Sequence, residues 1–255
     1  MLKEIIIAIQ SYFQAHQFIK KHKLWKWIIV PGIVYAILFM LSMYYFAHTY
    51  NNFVEWLSLK TGLKHWLDKV DSGFIGFLFT LGNLIVWMVM MLLYFSLFKY
   101  FILIAGSPVF AFLSEKTEAI IEGKDYPFSF IQLAKDIIRG IRLAVRNTLW
   151  QTVYTFSVLL ISLIPLIGWG TPVLAILIEC YYYGFSMIDY SMERHQKATS
   201  KSIYYISRHK GLAIGNGMVF YSMHLVPFVG WVLAPAYAVI AATLSVYPLK
   251  GQLED

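Results

Sequence analysis

Two stretches of the chain repeat one order of residues. LIPLIGWGTP at 163–172 and LVPFVGWVLAP at 225–235 each place a proline, two apolar residues, a glycine and a tryptophan in succession, then a second proline. Pro165 and Pro227 interrupt an apolar run, Gly168 and Gly230 permit a sharp turn, and Pro172 and Pro235, after Thr171 and Ala234, begin a returning half-helix. A half-helix that starts inside a membrane aims unpaired N–H groups and the positive end of its dipole into a cavity, which suits an anion that must leave again. The same turns would serve equally to pack against each other.

Charges near these arms add further candidates. Glu179 lies in an apolar segment, where a carboxylate is a candidate proton carrier beside an anion; its neighbours Tyr181, Tyr182 and Tyr183 fit an interfacial position equally well. Lys99 suits snorkelling or pairing, and Asn83, Asn216 and His224 suit either pore lining or the commoner role of bridging helices. Lys135, Arg139, Arg142 and Arg146 are spaced four, three and four, so they share one helical face. That face reads first as a surface held to anionic lipid and second as an electropositive entrance for anions.

Enzyme signatures are missing. The chain has no GxxxxGK[ST], HExxH or GxSxG, and no histidine is followed four residues later by Asp or Glu. Gly211, Gly215 and Gly217 do not match a dinucleotide fingerprint and read instead as small residues for close helix packing. Cys180 is the single cysteine, which excludes disulfides and CxxC metal sites within one chain. The expectation is a non-enzyme with no metal and no cofactor.

The elements that must position these groups follow from composition. The chain is 59% apolar and 14% charged, against roughly a quarter charged in soluble proteins. Runs without Asp, Glu, Lys or Arg cover 27–52 and 72–98, longer than the roughly 20 residues that cross a hydrocarbon core. The net charge of +7 comes from residues flanking these runs, which points to lipid and topology and away from nucleic acid. No cleavable signal peptide is read at the start. The chain divides as one membrane domain: an amphipathic helix at 1–26, a first span at 27–50, a second at 72–105, cytoplasmic-side helices at 107–147, and hairpins at 148–188 and 211–247. Ser107 and Pro108 read as N-cap and first position of a helix ending at Gly123. The arms beside the punctuated segments fall short of a full crossing, because Glu179 interrupts one and 211–226 is brief, so each pair is expected to enter part way and turn back. Five basic residues against one acidic in 1–26, and five against two in 189–210, place both segments on the cytoplasmic side.

In this order and spacing, AGSPVFAFLSEKTE at 105–118, Ile-Pro-Leu-Ile-Gly at 164–168, Asp189-Tyr190 and the closing VPFVGWVLAPAYAVIAAT resemble the CysZ-like sulfate permease family, bacterial relatives of the etoposide-induced membrane proteins, over nearly the whole chain. The resemblance implies an all-α fold with two long transmembrane helices and two partly penetrating hairpins, assembly as a homo-oligomer in the bacterial inner membrane, and sulfate uptake for cysteine synthesis. It also implies an anion site just before the first span, where the family carries Gly-[Leu/Ile]-Arg-Arg. The matching residues are Lys23, Leu24, Trp25 and Lys26, so the glycine and both arginines are replaced and Lys26 alone keeps the positive charge. Ser191 stands where the Asp-Tyr-Pro signature has proline. The expected function is a permease or channel for sulfate or a related small anion, with Lys23 and Lys26 capturing anions and the hairpin tips lining the path. The alternative is a non-transporting scaffold that binds lipid through its basic and amphipathic helices.

Overall fold

The computed structural model describes residues 1–60, 73, 94, 98–124, 130–162, 170–193 and 199–248. Among them every regular element is a helix. We number them α1 (Leu2–His22), α2 (Trp25–Lys60), α3 (Phe98–Ala105), α4 (Ser107–Glu122), α5 (Phe130–Ser162), α6 (Thr171–Glu193), α7 (Thr199–Arg208), α8 (Lys210–His224) and α9 (Val229–Val246). Among the described residues three helices are long and apolar enough to cross a membrane, at Trp25–Phe53, Thr171–Met192 and Val229–Val246, and α3 with α4 makes a fourth candidate bent by 59°. The protein is an all-α membrane protein. It forms two compact units, residues 37–99 and the remainder.

The larger unit is built on small residues. In α1, Ala8, Ser11, Tyr12, Ala15 and Ile19 recur every three or four positions, and this face is buried against α8 and α9. The expected interfacial helix is therefore also a core helix, with Leu2, Ile6 and Phe13 left on the outside. Gly211 and Gly215 let α8 approach α1, where added Cβ atoms would meet the Met1 carbonyl oxygen at 2.4 Å and the Ala8 Cβ at 2.8 Å. Between α6 and α8 the fit is reciprocal. A Cβ on Gly184 would lie 1.9 Å from the Ala213 carbonyl oxygen, and one on Gly217 would lie 2.0 Å from that of Cys180. In lipid, where apolar side chains gain little by leaving their surroundings, such backbone approach is a main source of helix association.

The second hairpin, α8 and α9, explains its punctuation differently from the sequence reading. The residue with positive φ is Phe228 (59°), not Gly230. Gly230 instead lies inside α9, where a Cβ would fall 1.8 Å from the Met223 carbonyl oxygen, so the glycine admits the end of the opposite arm. Trp231 then donates its indole N–H to the His224 carbonyl at 3.1 Å, satisfying one of the acceptors that every helix end leaves open. Pro235 does not start the return arm. The helix already begins at Val229, and Pro235 sits within it, as membrane helices tolerate where the freed backbone groups are re-satisfied locally or by neighbours.

The hairpin is compatible with partial entry through its shorter arm. The 15 residues of α8 extend about 22 Å, short of the roughly 30 Å of a hydrocarbon core, whereas the 18 of α9 extend about 27 Å and are long enough to cross. Tyr35, ten residues into α2, bonds His224 at 2.9 Å, which sets the tip about 15 Å along that helix from Trp25. The tip residues Leu225, Val226, Phe228 and Val229 are exposed and apolar, as lipid requires.

The first hairpin departs from its expected boundaries. α5 runs unbroken from Phe130 to Ser162, so the basic segment and the arm after it are one helix of 33 residues. α6 has 23 residues and does not stop at Glu179. A carboxylate in an apolar helix costs least where side chains satisfy it, and here two do. Pro165 and Gly168 lie outside the described residues, as does most of the expected span at 72–105, with Asn83. α4 begins one residue earlier than read, with Gly106 as N-cap, and ends at Gly123 as expected.

In the smaller unit, the outer half of α2 stacks Phe46 on Tyr50 and Tyr94 and sets Phe39 beside Phe98 at 5.9 Å. Lys99 there is buried, in agreement with a pairing role in preference to ion selection.

Candidate functional site: the α1–α2 turn and a carboxylate network

The turn from α1 to α2 is set by its first residue. Lys23 adopts the left-handed conformation (φ 55°, ψ 40°) and its N–H bonds the Ile19 carbonyl, as does the N–H of Leu24 at 3.1 Å. This backbone region favours glycine, and a residue with a Cβ pays about 1 kcal/mol to occupy it. Leu24 is buried and anchors the turn, its carbonyl accepting from the Trp27 N–H at 3.0 Å. Trp25 packs on the core with its indole edge-on to His16, so it offers shape and no charge. Lys23 and Lys26 are exposed. They flank the first-turn amides of α2, and a helix start with lysines beside it can receive an oxyanion.

Deeper in the unit, Glu179 terminates a chain of polar side chains. Tyr100 of α3 donates to Gln151 Oε1 at 2.6 Å, the Gln151 amide donates to Glu179 Oε1, and Tyr221 of α8 donates to Glu179 Oε2 at 3.0 Å. Tyr100 and Gln151 are buried, so the network ties α3, α5, α6 and α8 through groups that hydrocarbon could not solvate. The sequence reading singled out Glu179 and missed its partners. Gln151, an amide in an otherwise apolar arm, was the available signal.

The basic stripe of α5 is not a uniform surface. Arg139 makes a two-point bond to Asp189, Nη2 to Oδ1 at 2.8 Å and Nε to Oδ2 at 3.2 Å, and Ser202 of α7 donates to the same Oδ1. Arg146 bonds Asn147 Oδ1 and lies 5.7 Å from the centre of the Phe185 ring. Lys135 and Arg142 alone of the four remain fully exposed. The spacing found the face correctly; it could not show that Asp189, fifty positions away, occupies part of it.

The remaining candidates are placed as follows. Thr171 is buried at the first position of α6 with Pro172 after it, the returning start that the sequence suggested. At the second tip, the N–H groups of Val229, Gly230 and Val232 are accepted by the carbonyls of Pro227, Val226 and Phe228, so these amides serve the turn. Asn216 bridges helices, its side-chain amide donating to the Ala238 carbonyl at 2.9 Å while its backbone carbonyl accepts from the Tyr12 hydroxyl. On the polar side, Glu4 bonds His209 Nδ1 and the Gly211 N–H, capping α8 from another helix. Burial, and then the nearby Glu4 carboxylate, push the Tyr205 phenol up to about 12. Among the described residues no group of three or more His, Cys, Asp or Glu comes together to hold a metal.

Small-residue helix crossings, apolar outward faces and a satisfied carboxylate inside define a helical integral membrane protein. The chain belongs to the sulfate transporter CysZ/etoposide-induced protein 2.4 family, whose model matches residues 11–235. It is similar to proteins named sulfate transporter CysZ: 27% identical over 215 residues to that of Pseudomonas aeruginosa (83% of this chain, 81% of that one), 28% over 187 residues to that of Pseudomonas paraeruginosa (71% and 75%), and 26% over 219 residues to that of Pseudomonas syringae pv. tomato (85% and 82%). This is a family of transporters and not of enzymes.

Proposed function

We propose that this protein is an inner-membrane permease or channel for sulfate or a related small oxyanion, supplying sulfur for assimilation. Beyond the kinship itself, the observation that carries the reading is the left-handed turn at Lys23. The family resemblance places a glycine there, and the chain keeps the glycine conformation although it has lost the glycine. A backbone held in an unfavourable shape is retained where the shape is used.

In this reading Lys23 and Lys26 gather the anion at the cytoplasmic face, and the first-turn amides of α2 with buried Leu24 beneath them hold it briefly. Lysine offers a point charge without the guanidinium fork, so the site binds more weakly and tolerates other oxyanions. Thr171 and Pro172 at the start of α6, with Pro227 and Gly230 at the second tip, border the path between the arms. Glu179 is the group that a proton would accompany. The protein works as a homo-oligomer with both termini in the cytoplasm, and it needs no cofactor.

The test is the unfolding temperature of the purified protein across sulfate, sulfite, thiosulfate, phosphate, chloride and gluconate at fixed ionic strength, followed by flux in proteoliposomes. Binding to the folded state must raise stability by mass action. We expect a rise confined to oxyanions and lost in Lys26→Glu; an unchanged affinity in that variant removes Lys26 from the site. The competing scaffold reading expects dependence on lipid with no anion response. The basic helix gives it limited support, because Arg139 is already occupied by Asp189.

A further inference from the structure

Where α8 departs from α1, the two helices and α9 enclose an open, mostly apolar groove of about 480 Å³. Ile9 and Phe13 of α1 and Val219 and Met223 of α8 form its walls, and at one end His16 bonds the Tyr237 hydroxyl at 2.8 Å. The α1 face that lines it changes character steadily along its length. Ile9 and Phe13 give way to His16 and Gln17 and then, one turn further, to Lys20 and Lys21, which are exposed. Lys23 adds a third cation just past the helix end. The three helices around the groove contain a single acid, Glu4, twelve residues before His16 and committed to capping α8. Within these three helices the polar end is therefore positive, and the opposite end, lined by Ile9 and Phe13, is apolar.

We propose that this groove seats an anionic membrane phospholipid, with one acyl chain between Phe13 and Met223 and the phosphate held by Gln17, Lys20 and Lys21. Each half of the ligand answers one half of the site. A chain covers apolar wall that would otherwise face disordered lipid, and a phosphate beside two lysines at the interface gains from both charges. A free oxyanion would satisfy only the cationic end and leave the walls unused. The proposal does not depend on which anion the protein transports, and its readout is lipid retention.

The full-length protein, delipidated in detergent, would be titrated with dioleoylphosphatidylglycerol and examined by native mass spectrometry. Dioleoylphosphatidylcholine serves as the matched neutral-headgroup lipid and glycerol 3-phosphate as the headgroup without chains. We expect one tightly retained phosphatidylglycerol per chain, at least tenfold preferred over phosphatidylcholine and not displaced by glycerol 3-phosphate. Val219→Trp, which fills the groove, should abolish retention of both lipids. Phe13→Glu should do the same from an exposed position that the fold does not need. Lys20→Glu with Lys21→Glu should erase the headgroup preference and spare phosphatidylcholine. Undiminished phosphatidylglycerol in a folded Phe13→Glu protein overturns the chain seat. Displacement by glycerol 3-phosphate overturns it too, since the cations would then be binding phosphate alone. Equal retention of the two lipids overturns the role of the lysines.

Discussion

Arg139 and Asp189 come from helices fifty positions apart and meet through two parallel N–H···O bonds, with Ser202 closing the third side. The pair is largely buried, so each charge depends on the other for solvation. Asp189→Ala should cost about 3 kcal/mol by leaving a guanidinium without its carboxylate, and Arg139→Ala should cost a similar amount. The double variant Arg139→Leu with Asp189→Leu should cost clearly less than the sum. Chemical unfolding in detergent gives the cycle, and strict additivity would mean that the pair contributes nothing as a pair.

Glu179→Leu should strand the Gln151 amide and the Tyr221 hydroxyl, lowering stability by about 3 kcal/mol. Glu179→Gln keeps an acceptor in place and should cost about 1 kcal/mol. Flux separates structure from transport. If Glu179→Gln folds and moves anions at the wild-type rate at every pH, the ionised carboxylate takes no part.

Restoring glycine at the α1–α2 turn should help. Lys23→Gly removes a Cβ from a left-handed position and should raise stability by about 1 kcal/mol, whereas β-branched Lys23→Val should lower it by at least as much. Thermal unfolding without anion reads both. No difference between the two variants would show that the turn is not held left-handed in solution.

At the α6–α8 crossing, Gly184→Ala and Gly217→Ala would place a methyl 1.9 Å and 2.0 Å from backbone oxygens of the facing helix, and each should cost about 3 kcal/mol or more. Gly140→Ala is the matched control, because its nearest neighbour is the Ser107 Cβ at 3.5 Å. Folded yield by size exclusion suffices, and equal yields for all three variants would contradict the packing described.

Trp231→Phe keeps an aromatic ring at the hairpin tip and loses only the indole N–H to the His224 carbonyl. A cost of about 1 kcal/mol is expected, with faster amide exchange at the end of α8 as the local signature. Unchanged exchange there would assign the tryptophan to ring packing alone.

Local chemistry was legible where it was repeated or periodic. Apolar runs gave helices, small residues spaced by four gave the α8 contacts, and the doubled Pro-x-x-Gly-Trp marked a hairpin. What the sequence did not reveal was pairing between distant positions. Arg139 looked like lipid-facing charge because Asp189 was invisible to helical periodicity, and Glu179 looked like the limit of an apolar arm because Gln151 and Tyr221 lie 28 and 42 positions away. Pro235 misled for a related reason: a proline's local preference is for a helix start, and burial in α9 overrode it.

The cap that Glu4 places on α8 has a consequence for synthesis. Its acceptor role is filled by His209 and Gly211, more than two hundred positions later, and Tyr12 and His16 of the same helix wait for Asn216 and Tyr237. These partners of α1 therefore exist only after about two hundred further residues have been made. Contacts of such long sequence separation close late in folding, so the α1 face made of Ala8, Ser11, Tyr12, Ala15 and Ile19 is covered only when α8 and α9 pack beside it.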